Sequence, residues 1–180
     1  MATLEEALRA KLAAVPRGVL GWRQFENVAT EVLRHLFVPP LADPILQARS
    51  YSGIERRDAI FPNRNHGMPN HWGRLLQELE ARMVLFEFKN YDSEEVGKDE
   101  VNQTRNYLTR PLGRLALIVS TKEPNHAAHL KRNTVYSEDG KVIVFLNVEH
   151  LEEMLYMKER GEDPADLIMD AVERFYIEWE

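Results

Sequence analysis

A mixed α/β sandwich is the fold class the sequence predicts, on three observations. Apolar residues recur at helical spacing in some windows and as short, β-branched runs in others, so the period switches repeatedly along the chain. Two of the short runs flank a Ser-Gly turn signal, as the strands of a hairpin do. The resulting order, α, β, β, α, β, α, β, α, β, α, α, sets helices against a central sheet of mixed strand direction. At 180 residues the chain can bury a proper core and is read as one domain, alone or with a helical extension.

The elements follow in order. Residues 3–14 are a helix candidate stopped by Pro16 and Gly18. In 22–37, "WRQFENVATEVLRHLF", Trp22, Phe25, Ala29, Val32, Leu33 and Leu36 fall at amphipathic-helix spacing, and Pro39-Pro40 ends the helix. Residues 44–51 and 55–62 are the hairpin strands. The turn-rich "NRNHGMPN" leads into a helix over 71–82, with Trp72, Leu75, Leu76 and Leu79 on its apolar side. A strand over 83–89 and an acidic turn precede a helix over 99–110 that carries Val101, Thr104 and Leu108 on one face. A strand over 114–121, a helix over 124–133 and a strand over 141–147 come next. Two acidic helices, about 148–160 and 164–178, finish the chain, the second capped by Asp163 with Pro164 at its first position. The expected organisation is a core over 1–147 and an acidic helical extension over 148–180, which belongs to the same domain or offers a surface to a second copy or a partner. There are no repeats or low-complexity tracts.

Composition narrows the function classes. The aliphatic runs "LALIV" (115–119) and "VIVFL" (142–146) are far too short to span a bilayer, and the N-terminal segment lacks a signal-peptide core, so no membrane association and a cytoplasmic location are expected. The absence of cysteine removes disulfides, thiolate zinc sites and cysteine nucleophiles, leaving oxygen and imidazole as metal donors. The formal charge of −6 argues at first against a nucleic-acid partner. That acidity is local, because residues 149–180 hold eleven carboxylates against Lys158, Arg160 and Arg174, and the rest of the chain is slightly basic. No nucleophile elbow, Walker loop, dinucleotide fingerprint or H-E-x-x-H pair is present.

The chemistry concentrates in "MVLFEFKNYD", residues 83–92, where Glu87 and Lys89 interrupt an otherwise apolar strand. Strand alternation puts Leu85, Glu87 and Lys89 on one face and Val84, Phe86 and Phe88 on the other. Charges buried on one face must sit at a sheet margin, pair, or coordinate something. An E-x-K triplet is weak evidence alone, but Asp58 interrupts "RRDAIF" on the preceding strand in the same way. If the two strands pair, Asp58 and Glu87 converge on a hard divalent cation, with the Phe88 carbonyl placed as a third protein ligand. Such a cation polarises a phosphoryl oxygen and lowers the pKa of a bound water, and Lys89 can position that water and offset charge developing at phosphorus. The competing reading of the three groups is an internal salt bridge at a strand end.

The helix with Glu26 in "QFENV", Asp58 on a strand, "EFK" at 87–89 on the next and "QTRNYL" at 103–108 on the following helix resemble the PD-(D/E)xK nuclease superfamily, most of all its Mrr-like restriction endonuclease branch. The similarity runs from residue 22 to about 146. It implies a restriction-endonuclease-like fold and a Mg²⁺-dependent deoxyribonuclease, with Mn²⁺ as a substitute, that leaves 5′-phosphates. Asp58 and Glu87 would be metal ligands, Lys89 the catalytic lysine, and Glu26 and Gln103 supporting residues. DNA would be the partner, with Arg56, Arg57, Arg64, Asn90 and Arg105 as contacts, and a prokaryotic restriction or antiviral defence system the setting. Double-strand cutting would need a homodimer or a partner protein. Arg57 stands where the motif has proline, and a helix around Trp72 lengthens the gap between Asp58 and Glu87. A non-enzymatic module that keeps the fold to bind nucleic acid or protein is the alternative function, and a small-molecule-binding regulatory domain is a third. His126 and His129 have an i, i+3 spacing but no evident third ligand, while His66 and His71 flank a loop that could border the substrate.

Overall fold

The computed structural model describes residues 2–179. In chain order it contains α1 (Leu4–Ala13), α2 (Trp22–Phe37), β1 (Ile45–Arg49), β2 (Arg56–Pro62), α3 (His71–Leu79), β3 (Met83–Lys89), α4 (Lys98–Tyr107), β4 (Leu115–Ser120), α5 (His126–Asp139), β5 (Val142–Asn147), α6 (Val148–Glu159) and α7 (Ala165–Glu178). The five strands form one sheet in the order β1-β2-β3-β4-β5. β1–β2 and β2–β3 pair antiparallel, whereas β3–β4 and β4–β5 pair parallel through helical crossovers. The mixed sheet is thus as the sequence predicts.

Both faces of the sheet are covered, so the central strands are apolar on both sides and β4 is buried throughout. Phe61, Val84, Phe86, Leu117 and Val144 face one layer, where they meet Phe25, Leu33 and Phe37 of α2, Trp72 of α3, Leu151 of α6 and Phe175 of α7. The Phe37 ring lies edge-on to Trp72 with centroids 5.0 Å apart. Ile60, Leu85, Ala116, Ile118 and Ile143 face the other layer, built from α4 and α5 with Tyr107, Val101, Ala128 and Val135. The two C-terminal helices are therefore packed into the same core as the sheet, with α6 against α1, α2 and β5, and α7 against α3 and β5.

Local chemistry accounts for the boundaries. Thr3 and Glu6 form a reciprocal capping box that starts α1. α3 stops at Leu79, short of the expected 82, because Glu80 takes a left-handed conformation with φ of 49° and turns the chain directly into β3. α5 continues to Asp139, past the expected 133, until Gly140 ends it at φ 65°. Only Ala128 and Val135 of that helix are buried, so its apolar signal is too thin to read to the end. Pro164 precedes α7 instead of opening it, and the Asp163 carboxylate accepts the Ala165 N–H at 2.9 Å. Trp22, expected on the core stripe of α2, stands at the first turn and is 41% exposed.

Because α7 belongs to the core, Phe175→Ala leaves a cavity among Tyr136, Tyr176 and the sheet. Its cost is expected at about 3–5 kcal/mol, the range for aromatic truncation in a core. Equilibrium urea unfolding checks it, and a loss below about 1 kcal/mol would show that α7 is not part of the cooperative unit.

Candidate active site

The site forms where the β2–β3 ladder stops. Cα pairing runs from Pro62↔Met83 to Ala59↔Phe86 and goes no further. One step on, side chains replace the ladder: the Asp58 N–H donates to Glu87 Oε1 at 3.3 Å, and the Phe88 N–H donates to Asp58 Oδ2 at 2.9 Å. Lys89 turns its carbonyl to β4, accepting the Thr121 N–H at 3.0 Å, so the backbone of Phe88 faces β2 and the splayed end. A cleft of about 300 Å³ opens there, lined by Trp22, Glu26, Arg56, Asp58, Phe88, Lys89, Asn90, Gln103 and Tyr107.

Electrostatics make this cleft unlike an ordinary strand end. Glu87 is 2% exposed. Burial, reinforced by the Asp58 charge and opposed by Lys89, pushes its carboxyl from an ordinary 4.5 up to about 8. Glu26 reaches the cleft from α2, within hydrogen-bonding range of the Asp58 carboxyl; burial first and the Asp58 charge second raise its pKa as well. The Gln47 Nε2 donates to Glu26 Oε1, and its Oε1 accepts from Arg56 Nε. Gln47 holds this bridge with φ at 54° inside β1, a left-handed conformation that a non-glycine residue adopts only at a cost. On the same face of β3 as Glu87, Lys89 Nζ donates to Gln103 Oε1 at 3.0 Å and Gln103 Nε2 donates to the Tyr107 hydroxyl at 2.7 Å.

Two buried carboxyl groups, Glu26 and Glu87, whose proton affinity is raised by burial and by the Asp58 charge beside each of them, join Asp58 and a backbone carbonyl in an all-oxygen donor set. Glu26, Asp58, Glu87 and Phe88 fit a hard divalent cation on that ground.

The structure brings Glu26, Asp58, Glu87, Phe88, Lys89 and Gln103 together and disperses the expected nucleic-acid contacts. Arg56 borders the cleft. Arg57 is buried instead of facing a phosphate, its Nε donating to the Tyr107 carbonyl at 3.0 Å and its Nη2 pairing with Glu55 at 3.0 Å. Strand alternation forces this, since Arg57 and Asp58 cannot share a face. Arg105 lies in the last turn of α4 and is held by Asp139 and Glu138, at 2.7 and 2.8 Å. Arg64 is exposed beyond Pro62, at the other end of β2 from Asp58. Asn90 borders the cleft, but its Nδ2 is committed to the carbonyls of Pro16 and Gly18 at 2.9 and 3.0 Å. His71 is not at the substrate mouth: its Nε2 meets Asp166 Oδ1 at 2.5 Å, and its ligand atoms and those of Asp163 and Asp166 lie within 4.8 Å of one another, tying α3 to α7. The His129 ring packs on Phe145.

Sequence reasoning missed Gln47, Trp22 and Tyr107. Gln47 carried a usable signal, a polar residue in the strand next to the one bearing Asp58. Trp22 and Tyr107 did not, because an aromatic residue at helical spacing reads as core.

No protein-family model matches the chain. It is 30% identical over 161 residues to the transposon gamma-delta 80.3 kDa protein of Escherichia coli (strain K12), an alignment covering 87% of this chain and 22% of that protein. A solved structure of restriction endonuclease FokI bound to DNA superposes with a TM-score of 0.57 at 14% identity, over 89% of this chain and 31% of that one. The chain therefore spans about a fifth of the relative and about a third of the endonuclease. Its fold is that of the restriction endonucleases, a five-stranded mixed sheet between helical layers. The likeness stands at the level of the fold and does not single out the Mrr-like branch.

Glu87 binds its proton more tightly in the folded chain than in the unfolded one, so the metal-free protein should lose stability as pH rises from about 4.5 to about 8. Glu87→Gln should flatten that slope and raise the melting temperature at pH 8. Thermal melts in EDTA at stepped pH check it, and equal slopes in the two proteins would overturn it.

Proposed function

We propose that this chain is the catalytic domain of a metal-dependent endonuclease that hydrolyses phosphodiester bonds in DNA. The observation that carries this reading is that Asp58 lies beside both Glu26 and Glu87 at a cleft that Lys89 also lines. A salt bridge alone does not explain it, because Lys89 donates to Gln103 and not to either carboxylate. The restriction-endonuclease fold and the DNA bound in the FokI structure support DNA as substrate.

Asp58, Glu87 and the Phe88 carbonyl would hold Mg²⁺ or Mn²⁺, with Glu26 in support. When bound, the cation polarises a phosphoryl oxygen and lowers the pKa of a water. The Asp58 carboxylate is fixed by the Phe88 N–H and Glu87 by the Asp58 N–H, so neither must reorganise to meet it. Gln103, held by the Tyr107 hydroxyl, keeps the Lys89 amine extended over the cleft. There it orients the attacking water and balances the negative charge that grows at phosphorus. As water adds, the bond to the 3′ oxygen breaks, leaving a 3′-hydroxyl and a 5′-phosphate. One such site cuts one strand, so a double-strand break requires two copies or a second cut. The restriction or antiviral setting rests on the family resemblance; the transposon named in the relative adds a mobile-element setting, and a DNA-cutting domain suits both.

Supercoiled plasmid incubated with Mg²⁺ or Mn²⁺ should be nicked or linearised, and EDTA should prevent it. Lys89→Ala and Asp58→Ala should each lower the rate by at least about a hundredfold, the scale of losing a positioned catalytic group, with circular dichroism unchanged. Full activity in both variants would overturn the assignment.

A further inference from the structure

A second groove, about 610 Å³, adjoins the active-site cleft. Trp22, Phe88, Lys89 and Asn90 line both, so a strand whose phosphate lies at Lys89 has its neighbouring nucleotide at the groove. Its outer wall is the loop between α1 and α2, which leaves Val19 86% and Leu20 95% exposed beside Trp22. These apolar groups stand on a fixed support. Asn90 Nδ2 binds two carbonyls of that loop, and Gly21 packs so tightly that a Cβ there would lie 1.7 Å from the Pro16 carbonyl oxygen.

The groove's polar lining is mixed, with the cations Arg17 and Lys89 beside the acceptors of Asn90, Asp92 and Glu94. Because Asn90 Nδ2 faces two acceptors, the orientation of the amide is forced and Oδ1 is the remaining group. Asn90 is 8% exposed, and Oδ1 is buried without a hydrogen-bond partner among the described residues. Asp92 and Glu94 line the same groove. The carboxylates of Asp92 and Glu94 accept from amino groups, which adenine carries at N6 and cytosine at N4, while Arg17 and Lys89 suit the phosphates that flank a base. The indole face of Trp22 supplies a stacking surface, with the Arg23 guanidinium 5.1 Å from its ring centroid. A base inside a duplex is already stacked and cannot use that face; an unpaired one can.

We infer that this groove receives an unpaired nucleobase of the substrate strand, stacked on Trp22, so that the domain acts on DNA that is single-stranded or unpaired next to the cut. The inference rests on the nuclease reading for the identity of the substrate, and its test does not use cleavage. Anisotropy of a fluorescein-labelled single-stranded oligonucleotide would be measured with the full chain in Ca²⁺, with the matching duplex as competitor. The wild type should prefer the single strand. Trp22→Ala should weaken its binding at least about tenfold, the scale of one lost base–aromatic stack, and Trp22→Phe should restore most of it while Trp22→Leu does not. Equal binding by Trp22→Ala and wild type, equal competition by duplex, or no binding by the wild type would each overturn the inference. A chain that binds in the expected way yet never cuts plasmid or single strand would lose the nuclease reading and keep the base site; one that cuts with Trp22-independent binding would do the reverse.

Discussion

The place where β2 and β3 cease to pair is the constraint on which the site depends. Up to Ala59 and Phe86 the strands satisfy each other's backbone groups; past that point Asp58 and Glu87 do so with their side chains. A backbone donor left unmet at a buried strand end is costly, and so is a buried carboxylate without donors. Each problem answers the other here. The exchange fixes both carboxylates to β-strands and leaves a wedge-shaped opening beside Lys89.

That arrangement works against stability within the chain alone. Glu87 is buried beside another carboxyl, and Glu26 approaches from the opposite layer of the sandwich. The surrounding fold is rigid enough to hold them. β3 is central in the sheet, parallel to β4 on one side and antiparallel to β2 on the other, and its Phe86 and Phe88 rings pack on Phe37 and Phe25 of α2. The strained Gln47 belongs to the same economy, because a left-handed residue in an edge strand aims its amide at Glu26 and Arg56 together. An apolar sandwich with both C-terminal helices packed on it supplies the burial that offsets a repulsive cluster at one end of the sheet.

The α1–α2 loop is joined to this centre through Asn90. One side chain, directly after Lys89 in sequence, anchors the loop, and the loop in turn sets Val19, Leu20 and Trp22 at the rim. Position along β3 therefore decides both the chemistry and the shape of the surface next to it.

By itself the sequence determined the alternation of elements from α2 to α7, the mixed sheet, and the identities of Asp58, Glu87 and Lys89 as groups out of place in apolar strands, with α1 marked as a helix candidate but left out of the element order. Those are local signals: a period of two or of 3.6, and a charge where the pattern calls for an apolar residue. It also pointed to Glu26 and Gln103, which the structure brings to the same cleft, although only a family resemblance indicated them. What tertiary structure alone decided was which polar groups face outward. Arg57 and Arg105 have the composition of phosphate contacts but are held by Glu55, Asp139 and Glu138, partners whose nearness depends on strand register and helix packing. Trp22 and Tyr107 look like core residues in sequence and border the cleft in space, because a helix's periodicity shows that a residue lies on a stripe and not where that stripe runs off the edge of the sheet.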